Sequence, residues 1–325
     1  MTRIFPIDHL SRVAEVRRAA AALSRNEGLD EALAANAALI ATEICTNLLK
    51  HANQGEVFLS TLSDRTVPGV EILAIDRGPG MTNVSQCLAD GYSSTKTSGT
   101  GLGAVARLSQ EFDIYSERNR GTVLVAQVRL ETHVKVSVGA VVKPISGEEV
   151  AGDAWAFRER EDGLTLIVAD GLGHGLMAAR ASAKAISAFR RASESAPAAV
   201  LNRVHSELRG TRGAAVAVAY IDPAEAIRYA GIGNIAGVVL GSGKPVAMVS
   251  HNGTAGFHAP RLQEFSYPLS KEVLIVMHSD GLTANWNLDN YPGLRRRHPS
   301  IIAGVLYRDA SRKRDDVCVV AVKTT

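Results

Sequence analysis

The sequence has little of what several classes of protein need. Three cysteines, Cys45, Cys87 and Cys318, are too few and too scattered in 325 residues for a disulfide framework or a zinc site. The longest apolar runs, such as residues 214–221 and 273–277, are too short to cross a bilayer. The N-terminus lacks the apolar core of a secretory signal. We therefore expect reduced cysteines and a cytoplasmic protein without a membrane partner.

A large excess of charge of one sign is also missing. The chain has 36 Lys and Arg against 33 Asp and Glu, a net charge of +3, and aromatic residues make up 5%. Basic residues gather at 295–297 and 312–314. A nucleic-acid surface usually needs a broader basic stripe with aromatic side chains between the charges. Solvated loops near a phosphate site explain these short clusters better, so we expect no nucleic-acid partner.

What remains is the composition of a globular protein, with 46% hydrophobic and 21% charged residues. A chain of 325 residues is long enough for two domains that each bury a core. Around residues 131–132 the sequence passes directly into a new apolar strand, and the kinds of polar motif differ on the two sides. We predict a first domain over residues 1–131 and a second over residues 132–325.

Apolar spacing predicts an α+β fold in both parts. In the first part, helices are expected over residues 8–23 and 30–50, followed by strands that form a sheet with helices on one face. Residues 82–103 are rich in Gly, Ser and Thr, which favours a loop. In the second part, strands alternate with helices at 176–192 and 197–208.

A polar pair on the second predicted helix is the first candidate for chemistry. Glu43 and Asn47 are four residues apart, so they share one helix face, which His51 extends by another turn. A carboxylate can orient or deprotonate an attacking hydroxyl or water, and an amide oxygen suits Mg²⁺. By itself, this spacing is common on exposed helices and identifies no function.

Two glycine-rich stretches follow. Asp76 comes directly after an apolar strand and precedes Gly78 and Gly80. Such a carboxylate can accept from an exocyclic amine, and glycines let the backbone approach a flat base, although a simple turn explains the pattern equally well. Gly99-Thr100-Gly101-Leu102-Gly103 leads into a helix and places free N–H groups where phosphate oxygens can bind. It is not a Walker loop, because no Gly-Lys-Ser/Thr follows.

The second part has four acidic points far apart in sequence: Asp153, Asp170, Asp280 and the pair 315–316. Asp170 and Asp280 follow apolar runs and Asp315 precedes one, so each is predicted at a strand end, where sheets can bring them together. Two divalent ions about 4 Å apart need such carboxylates and can activate water for attack on phosphorus. A single Asp-Gly is more often a turn, so the prediction depends on all four points together.

In their order and spacing, the motifs of the first part resemble the GHKL ATPase family over nearly all of residues 8–130. Within that family, residues 46–52, 76–81, 101–108 and 111–116 are similar to the anti-sigma-factor type of serine kinase. The resemblance implies a GHKL α/β sandwich that binds ATP with Mg²⁺, and Glu43 would be the catalytic base. The implied binding residues are Asn47 for Mg²⁺, with His51 on the same helix face, Asp76 for adenine, Gly78 and Gly80 beside the base, and Gly99, Thr100, Gly101, Leu102 and Gly103 over the phosphates.

The second part resembles the SpoIIE-like branch of the type-2C protein serine/threonine phosphatases. The resemblance spans essentially all of residues 133–325 and implies an αββα sandwich with two Mn²⁺ or Mg²⁺ ions. The matching pieces are residues 146–153, 168–175, 278–282 and 314–320. The implied ligands are Asp170 as the bridging catalytic carboxylate, the Gly171 carbonyl, Asp280 and Asp315 on one ion, and Asp153 directly or through water.

Two histidines lie beside these motifs. Eukaryotic members of the phosphatase family place a histidine two positions beyond the bridging aspartate, where this chain has Leu172. His174 therefore either approaches the phosphate or serves the structure, and both interpretations stay open. His278, beside Ser279 and Asp280, is more simply explained as a core histidine.

Together the resemblances imply a bifunctional partner-switching regulator. One domain would transfer phosphate from ATP to a Ser or Thr of a partner, and the other would remove it. The implied partner is a STAS-domain protein in its phosphorylated and unphosphorylated forms. One alternative makes the first domain a module that binds ATP or a partner without kinase activity. Another makes the second domain a phosphatase for small molecules.

Overall fold

The computed structural model describes residues 2–52, 54–62, 67–88, 101–130, 136–222, 226–259, 262–269 and 272–324. The chain separates into two compact units. The first contains Met1–His133 and Tyr291–Arg308, and the second contains Val134–Asn290 and Asp309–Thr325. The boundary that we predicted, 131/132, lies outside the described residues. The 291–308 segment falls within the predicted second domain but belongs to the first unit.

The first unit is built on one five-stranded antiparallel sheet with the order β1-β2-β3-β5-β4. A short helix, α3, occupies part of the stretch that we predicted as a loop. The elements are β1 (Thr2–Ile7), α1 (Leu10–Asn26), α2 (Glu31–His51), β2 (Gly55–Thr61), β3 (Gly69–Ile75), α3 (Val84–Leu88), α4 (Gly101–Leu108), β4 (Glu111–Glu117) and β5 (Gly121–Arg129).

The two long helices lie where the sequence predicts, with ends that differ from the predicted ones by one to three residues. Gly28, at φ +79°, follows α1, and the Asp30 side chain accepts from the Leu33 N–H at 2.8 Å to cap α2. By length and composition, α2 could cross a membrane. Its buried face, which includes Ile40 and Ile44, instead packs in the core against the sheet. This packing therefore fixes the position of the helix face that carries Glu43 and Asn47 relative to the strands.

The other face of this sheet is also covered, so our prediction of helices on one face was wrong. Helix α7 (Pro299–Ala310), which lies in the first unit as far as Arg308, packs there. Tyr307 stacks edge-on against Phe58 with ring centroids 5.6 Å apart, and its hydroxyl donates to Glu56 at 2.8 Å. Ser300 donates to the buried Glu71 at 2.9 Å. The physical reason is that β3 is buried at every position, and a sheet apolar on both faces needs a layer on each.

The second unit contains two five-stranded antiparallel sheets, with the orders β13-β10-β9-β8-β7 and β12-β11-β14-β15-β6. Short 3₁₀ turns occur at Leu288–Asn290 and, in the 291–308 segment, at Leu294–Arg296. The elements are β6 (Val136–Lys143), β7 (Asp153–Arg160), β8 (Gly163–Gly171), α5 (Gly175–Arg191), α6 (Pro197–Glu207), β9 (Ala214–Ile221), β10 (Ala226–Ile232), β11 (Ala236–Leu240), β12 (Val246–Met248), β13 (Phe265–Pro268), β14 (Leu274–His278) and β15 (Val317–Thr324).

The two sheets pack face to face around one apolar core. Leu166 and Val168 of β8 meet Ile275 and Met277 of β14 in that core. Alternate residues of β8, such as Ile167, point to the other face, where α5 and α6 cover them. These two stacked sheets with helices outside, together with the α/β sandwich of the first unit, confirm the predicted fold class.

Candidate functional site

Helix α2 and the start of α4 form one polar corner of the first unit. A Cβ on Gly101 would lie 3.0 Å from Glu43 Oε2 and 3.7 Å from Asn47 Nδ2. The first backbone N–H groups of a helix have no partner within the helix, so they are available to an anion. The fold therefore brings the polar pair of α2 to the start of α4. His51, in the last turn of α2, is exposed.

Asp76 and its glycines form a second corner, at the end of β3. Asp76 is 8% exposed, and its Oδ1 accepts from the Gly78 N–H at 2.6 Å. A Cβ on Gly78 would lie 2.8 Å from the His51 carbonyl oxygen. At Gly80, where φ is +67°, a Cβ would overlap the Glu117 carbonyl. Both positions therefore need glycine, because neighbouring backbone fills the space that a Cβ would take.

The electrostatic setting of Asp76 depends on two opposed effects. Burial raises the pKa of its carboxyl, while the backbone hydrogen bonds and the nearby Arg308 charge lower it. Arg308 lies on α7 and is 2% exposed, and the Arg77 guanidinium donates to the Arg308 carbonyl oxygen. Sequence reasoning missed Arg308, because no local pattern connects position 308 with position 76.

Two hydroxyls behind this corner were also missed. Ser116 Oγ accepts from the Met81 N–H at 2.8 Å and shares a hydrogen bond of 2.9 Å with Thr122 Oγ1. The Asp76 N–H donates to the Thr122 carbonyl at 2.9 Å. The pairing of β4 with β5 brings Ser116 opposite Thr122, so the signal lies in strand register and not in either residue type.

The glycine-rich stretch after α3 is described only in part. Gly99 and Thr100 lie outside the described residues. Gly101, Leu102 and Gly103 form the first turn of α4, and Gly103 is buried. Three of the five predicted phosphate-loop positions thus begin α4, and Gly101 lies beside Glu43 and Asn47.

In the second unit, Asp153 and Asp170 lie directly opposite each other on β7 and β8. Asp153 is 5% exposed, and Ser279 Oγ donates to its Oδ2 at 2.6 Å while accepting from the Cys318 N–H at 3.0 Å. Ser279 therefore ties the end of β14 to the start of β7. This hydroxyl was not among the predicted site residues.

Asp280 lies two residues beyond the end of β14, close to a strand end as predicted. Its Oδ2 accepts from Asn234 Nδ2 at 2.7 Å, and Asn234 lies in the turn between β10 and β11. Asn234 was missed, because a single Asn in a Gly-Asn turn is ordinary turn composition. The contact fixes one oxygen of Asp280 and leaves the other for a further partner.

Asp315 and Asp316 have different surroundings. Asp316 is 3% exposed, and its two oxygens accept from the N–H groups of Ile145 and Gly152, each at 2.7 Å. Asp316 therefore holds the loop between β6 and β7. Asp315 is exposed, and its Oδ1 accepts from the Asp316 N–H at 2.9 Å. Of the two, Asp315 is the one that a cation can reach.

Mutual repulsion marks these carboxylates as one cluster, which we call the acidic cluster: Asp153, Asp170, Asp280 and Asp315. Burial, followed by the charges of Asp280 and Asp315, raises the pKa of Asp170 to about 7. Burial, followed by Asp170, raises that of Asp153. In the described part of the chain, no three acidic, His or Cys side chains already surround one point. The all-oxygen donor set and its repulsion nevertheless suit a hard divalent cation.

The two histidines near the cluster have structural contacts. His174 Nδ1 lies 2.7 Å from Glu148 Oε1 at the start of α5. His278 is 3% exposed; its Nδ1 lies 2.8 Å from the Ser279 carbonyl, and Trp286 Nε1 donates to its Nε2 at 3.1 Å. Burial lowers the pKa of His278, and its place in the interior agrees with the prediction of a core histidine.

Comparison with known proteins gives a family match for each part. Residues 8–128 match the histidine kinase-like ATPase domain, and residues 160–325 match the stage II sporulation protein E family. The serine/threonine-protein kinase RsbT of Bacillus subtilis (strain 168) is 33% identical over 85 residues, which make up 26% of this chain. The chain spans 64% of the length of that kinase.

Two solved structures resemble the chain over 58% and 60% of its length. One, described as the bacterial stressosome, a modular system adapted to control secondary messenger signalling, is 28% identical, is covered completely and gives a TM-score of 0.53. RsbX in complex with magnesium is 19% identical, is covered over 98% and gives a TM-score of 0.51; this likeness establishes the fold alone. The chain therefore belongs to the stage II sporulation protein E (SpoIIE) family, and a match to the histidine kinase-like ATPase domain precedes the region that shows this.

Proposed function

We propose that the protein is a bifunctional partner-switching regulator. Its ATPase-like domain, over residues 1–131, phosphorylates a Ser or Thr of a protein partner, and its phosphatase domain, over residues 132–325, hydrolyses the product. The observation that carries the phosphatase half is the pairing of Asp153 with Asp170 at one strand end, where burial and the charges of Asp280 and Asp315 raise the pKa of Asp170. A buried, repelling set of carboxylates is unfavourable unless cations neutralise it.

In this proposal, two Mn²⁺ or Mg²⁺ ions are held at the acidic cluster. When bound, they supply a Lewis acid for the phosphoryl oxygens and an activated water. Asp170 would hold both ions, Asp280 and Asp315 would hold one of them, and Asp153 would contribute directly or through water. The Gly171 carbonyl would be a further ligand. Ser279 and Asn234 orient the carboxylates, as their hydrogen bonds of 2.6 Å and 2.7 Å indicate.

The first site acts on ATP as a substrate. Asn47, on the helix face that His51 extends, holds Mg²⁺, and Asp76 accepts from the exocyclic amine of adenine. Gly78 and Gly80 line the base, and residues 99–103 cover the phosphates. Glu43 orients and deprotonates the attacking hydroxyl, which is consistent with its position 3.0 Å from a Cβ on Gly101. Most of the rate enhancement then comes from positioning and charge neutralisation.

The proposed partner is a STAS-domain protein, bound in the phosphorylated form by one domain and in the unphosphorylated form by the other. Support comes from the likeness to a serine/threonine-protein kinase and to a structure described as the bacterial stressosome. A cytoplasmic location agrees with both.

Phosphate release from a phosphoserine peptide with added Mn²⁺ tests the phosphatase assignment. Asp170→Asn removes the carboxylate proposed to hold both ions with little change in shape, so release is expected to fall by roughly a thousandfold or more. Asp162→Asn is the matched control, because Asp162 lies at the turn between β7 and β8, at the opposite end of those strands from Asp153 and Asp170. An Asp170→Asn variant that keeps the wild-type rate removes the assignment. Release from small phosphomonoesters but not from any phosphopeptide favours the small-molecule alternative.

Transfer of radiolabelled phosphate from ATP to a candidate STAS protein tests the kinase half. Glu43→Gln is expected to abolish transfer and keep ATP binding. Glu31→Gln is the control, because Glu31 lies in the first turn of the same helix in an exposed pair with Arg25. If the wild-type protein binds ATP and partner but transfers nothing, the first domain is a binding module. Glu43, which faces the start of α4, favours the kinase over that alternative.

A further inference from the structure

Exposed apolar side chains gather beside the acidic cluster. Large apolar side chains are exposed at ten described positions, and five of these lie at the end of the second unit that carries the cluster. Phe257 is the most exposed of the five, at 66%, followed by Leu176 at 58%. We call this set the apolar rim: Val150, Leu172, Leu176, Met177 and Phe257.

Strand pairing connects Phe257 with the cluster. Gly171, the residue after Asp170, lies opposite Ala214 on β9, and Ala214 in turn exchanges backbone hydrogen bonds of 2.9 and 3.1 Å with Ala255. A Cβ on Gly213 would lie 2.8 Å from Phe257 Cδ2. The Leu172 N–H donates to the Gly213 carbonyl at 3.0 Å. Leu172 and Phe257 therefore flank the same strand end.

Helix α5 supplies the opposite part of the rim. Leu176 and Met177 are in its first turn, a few residues after the end of β8, the strand that carries Asp170. The loop that contains Val150 is held to this turn, because Glu148 Oε1 lies 2.7 Å from His174 Nδ1 and the Gly171 N–H donates to the Gly152 carbonyl at 3.1 Å. The three parts of the rim thus border one strand end, and all of them stay in contact with water.

A cation completes the surface. Arg212 is exposed, and its Nη1 would lie 3.3 Å from a Cβ on Gly173, two residues beyond Gly171. Among the described residues, its side chain has no hydrogen-bond or ion-pair partner. A guanidinium pairs well with a phosphate dianion. Because Arg212 lies near acidic and apolar side chains, it suits a ligand that carries a phosphate within a partly apolar chain.

We propose that the apolar rim and Arg212 form a docking surface for a phosphorylated polypeptide segment, with apolar residues next to the phosphoserine or phosphothreonine. The inference rests on the proposed phosphatase function and names what its site recognises. A small phosphomonoester needs only the acidic cluster and Arg212. Five exposed apolar side chains around them cost solubility unless a partner covers them, and a polypeptide is long enough to do so.

Three substrates separate docking from chemistry: p-nitrophenyl phosphate, a phosphoserine peptide flanked by Leu and Val, and the same peptide flanked by Ser and Gly. The wild-type protein with Mn²⁺ is expected to show a KM for the apolar peptide about tenfold below that for the polar one. The double variant Leu176→Ser/Phe257→Ser is expected to lose this difference. Its kcat/KM for p-nitrophenyl phosphate should stay at the wild-type value.

Direct binding gives a readout that does not depend on turnover. Anisotropy of the labelled apolar peptide is measured in the Asp170→Asn background, where the rim substitutions are expected to weaken binding about tenfold. Val246→Ser is the matched control, because Val246 is 42% exposed and pairs with Val239, towards the end of β11 away from His278 and Asp280. Phe257→Ala alone, with unchanged thermal unfolding, guards against a folding defect of the double variant.

Several outcomes would overturn the inference. Equal KM values for the two peptides, or an unchanged KM in the rim variant, would show that the rim does not dock substrate. Association of the wild-type protein with vesicles of phosphatidylcholine and phosphatidylglycerol that the rim substitutions abolish would assign the rim to a lipid surface instead. If no substrate is hydrolysed by the wild-type protein with Mn²⁺, the proposed function fails; binding of the apolar peptide, if retained, would still support the rim.

Discussion

The two polar sites bury carboxylates in opposite ways. Asp76 in the first unit is surrounded by donors, since it accepts from the Gly78 N–H and lies in the field of Arg308. Asp170 in the second unit is surrounded by acceptors, since Asp280 and Asp315 raise its pKa further. Partners within the first unit thus offset part of the effect of burial, although the pKa of Asp76 is still raised. The site in the second unit has excess negative charge, which a bound cation would offset.

The two sites also differ in how they are assembled. Glu43 and Asn47 are one helical turn apart, and Gly78 follows Asp76 by two positions, so much of the first site forms within single elements. The acidic cluster joins residues between 153 and 315, and only the pairing of β7 with β8 and of β14 with β15 brings them together. A site of the second kind is more sensitive to tertiary packing, because each member depends on a different strand register.

The largest expected effect comes from removing the negative charge of Asp170 from the acidic cluster. Asp170→Asn should lower phosphate release from a phosphoserine peptide by roughly a thousandfold or more, because a group that acts in the transition state is lost. ATP affinity, measured by calorimetry, should not change. Loss of both activities in this variant would contradict the independence of the two sites.

The next largest effect is expected for helix α7, which packs on one face of the sheet in the first unit. Tyr307→Ala removes the ring that packs on Phe58 and should destabilise the first unit by about 3–5 kcal/mol. Tyr307→Phe is the matched control: it keeps the ring and loses the 2.8 Å bond to Glu56, which costs about 1 kcal/mol. Amide hydrogen exchange of β3 measures both. Equal protection in the two variants would mean that α7 does not stabilise the sheet.

A pair of neighbouring substitutions separates structural from ligand carboxylates. Asp316→Ala leaves the buried N–H groups of Ile145 and Gly152 without acceptors, at a cost of about 1–3 kcal/mol each. Asp315→Ala should leave the unfolding temperature nearly unchanged and weaken Mn²⁺ uptake in calorimetry. The reverse pattern would show that the two roles have been exchanged.

The smallest expected effect concerns Asp76 in the first unit. Asp76→Asn keeps the shape but removes the charge that would receive the adenine amine, so ATP affinity should fall by about tenfold. Hydrolysis of p-nitrophenyl phosphate should not change. Asp8→Asn, an exposed change at the start of α1, is the control. Unchanged ATP binding in Asp76→Asn would remove the proposed role of this residue.

Much of this architecture was predictable from local chemistry. The Asp30 cap, the turn at Gly28, the shared face of Glu43 and Asn47, and the strand-end position of Asp170 all follow from short-range rules. Family resemblance added the expected fold of each part. The roles of Ser279 and Asn234 were not predictable, because each contacts an aspartate on an element far away in sequence.

The chain by itself therefore determined its helices, its strands and the kinds of side chain at each site, since these depend on periodicity, capping and turn residues within a few positions. Only the tertiary structure decided which member of the 315–316 pair is buried, and that α7 covers the first sheet. Burial and repulsion are sums over neighbours in space, and neighbours in space are set by how strands and helices pack.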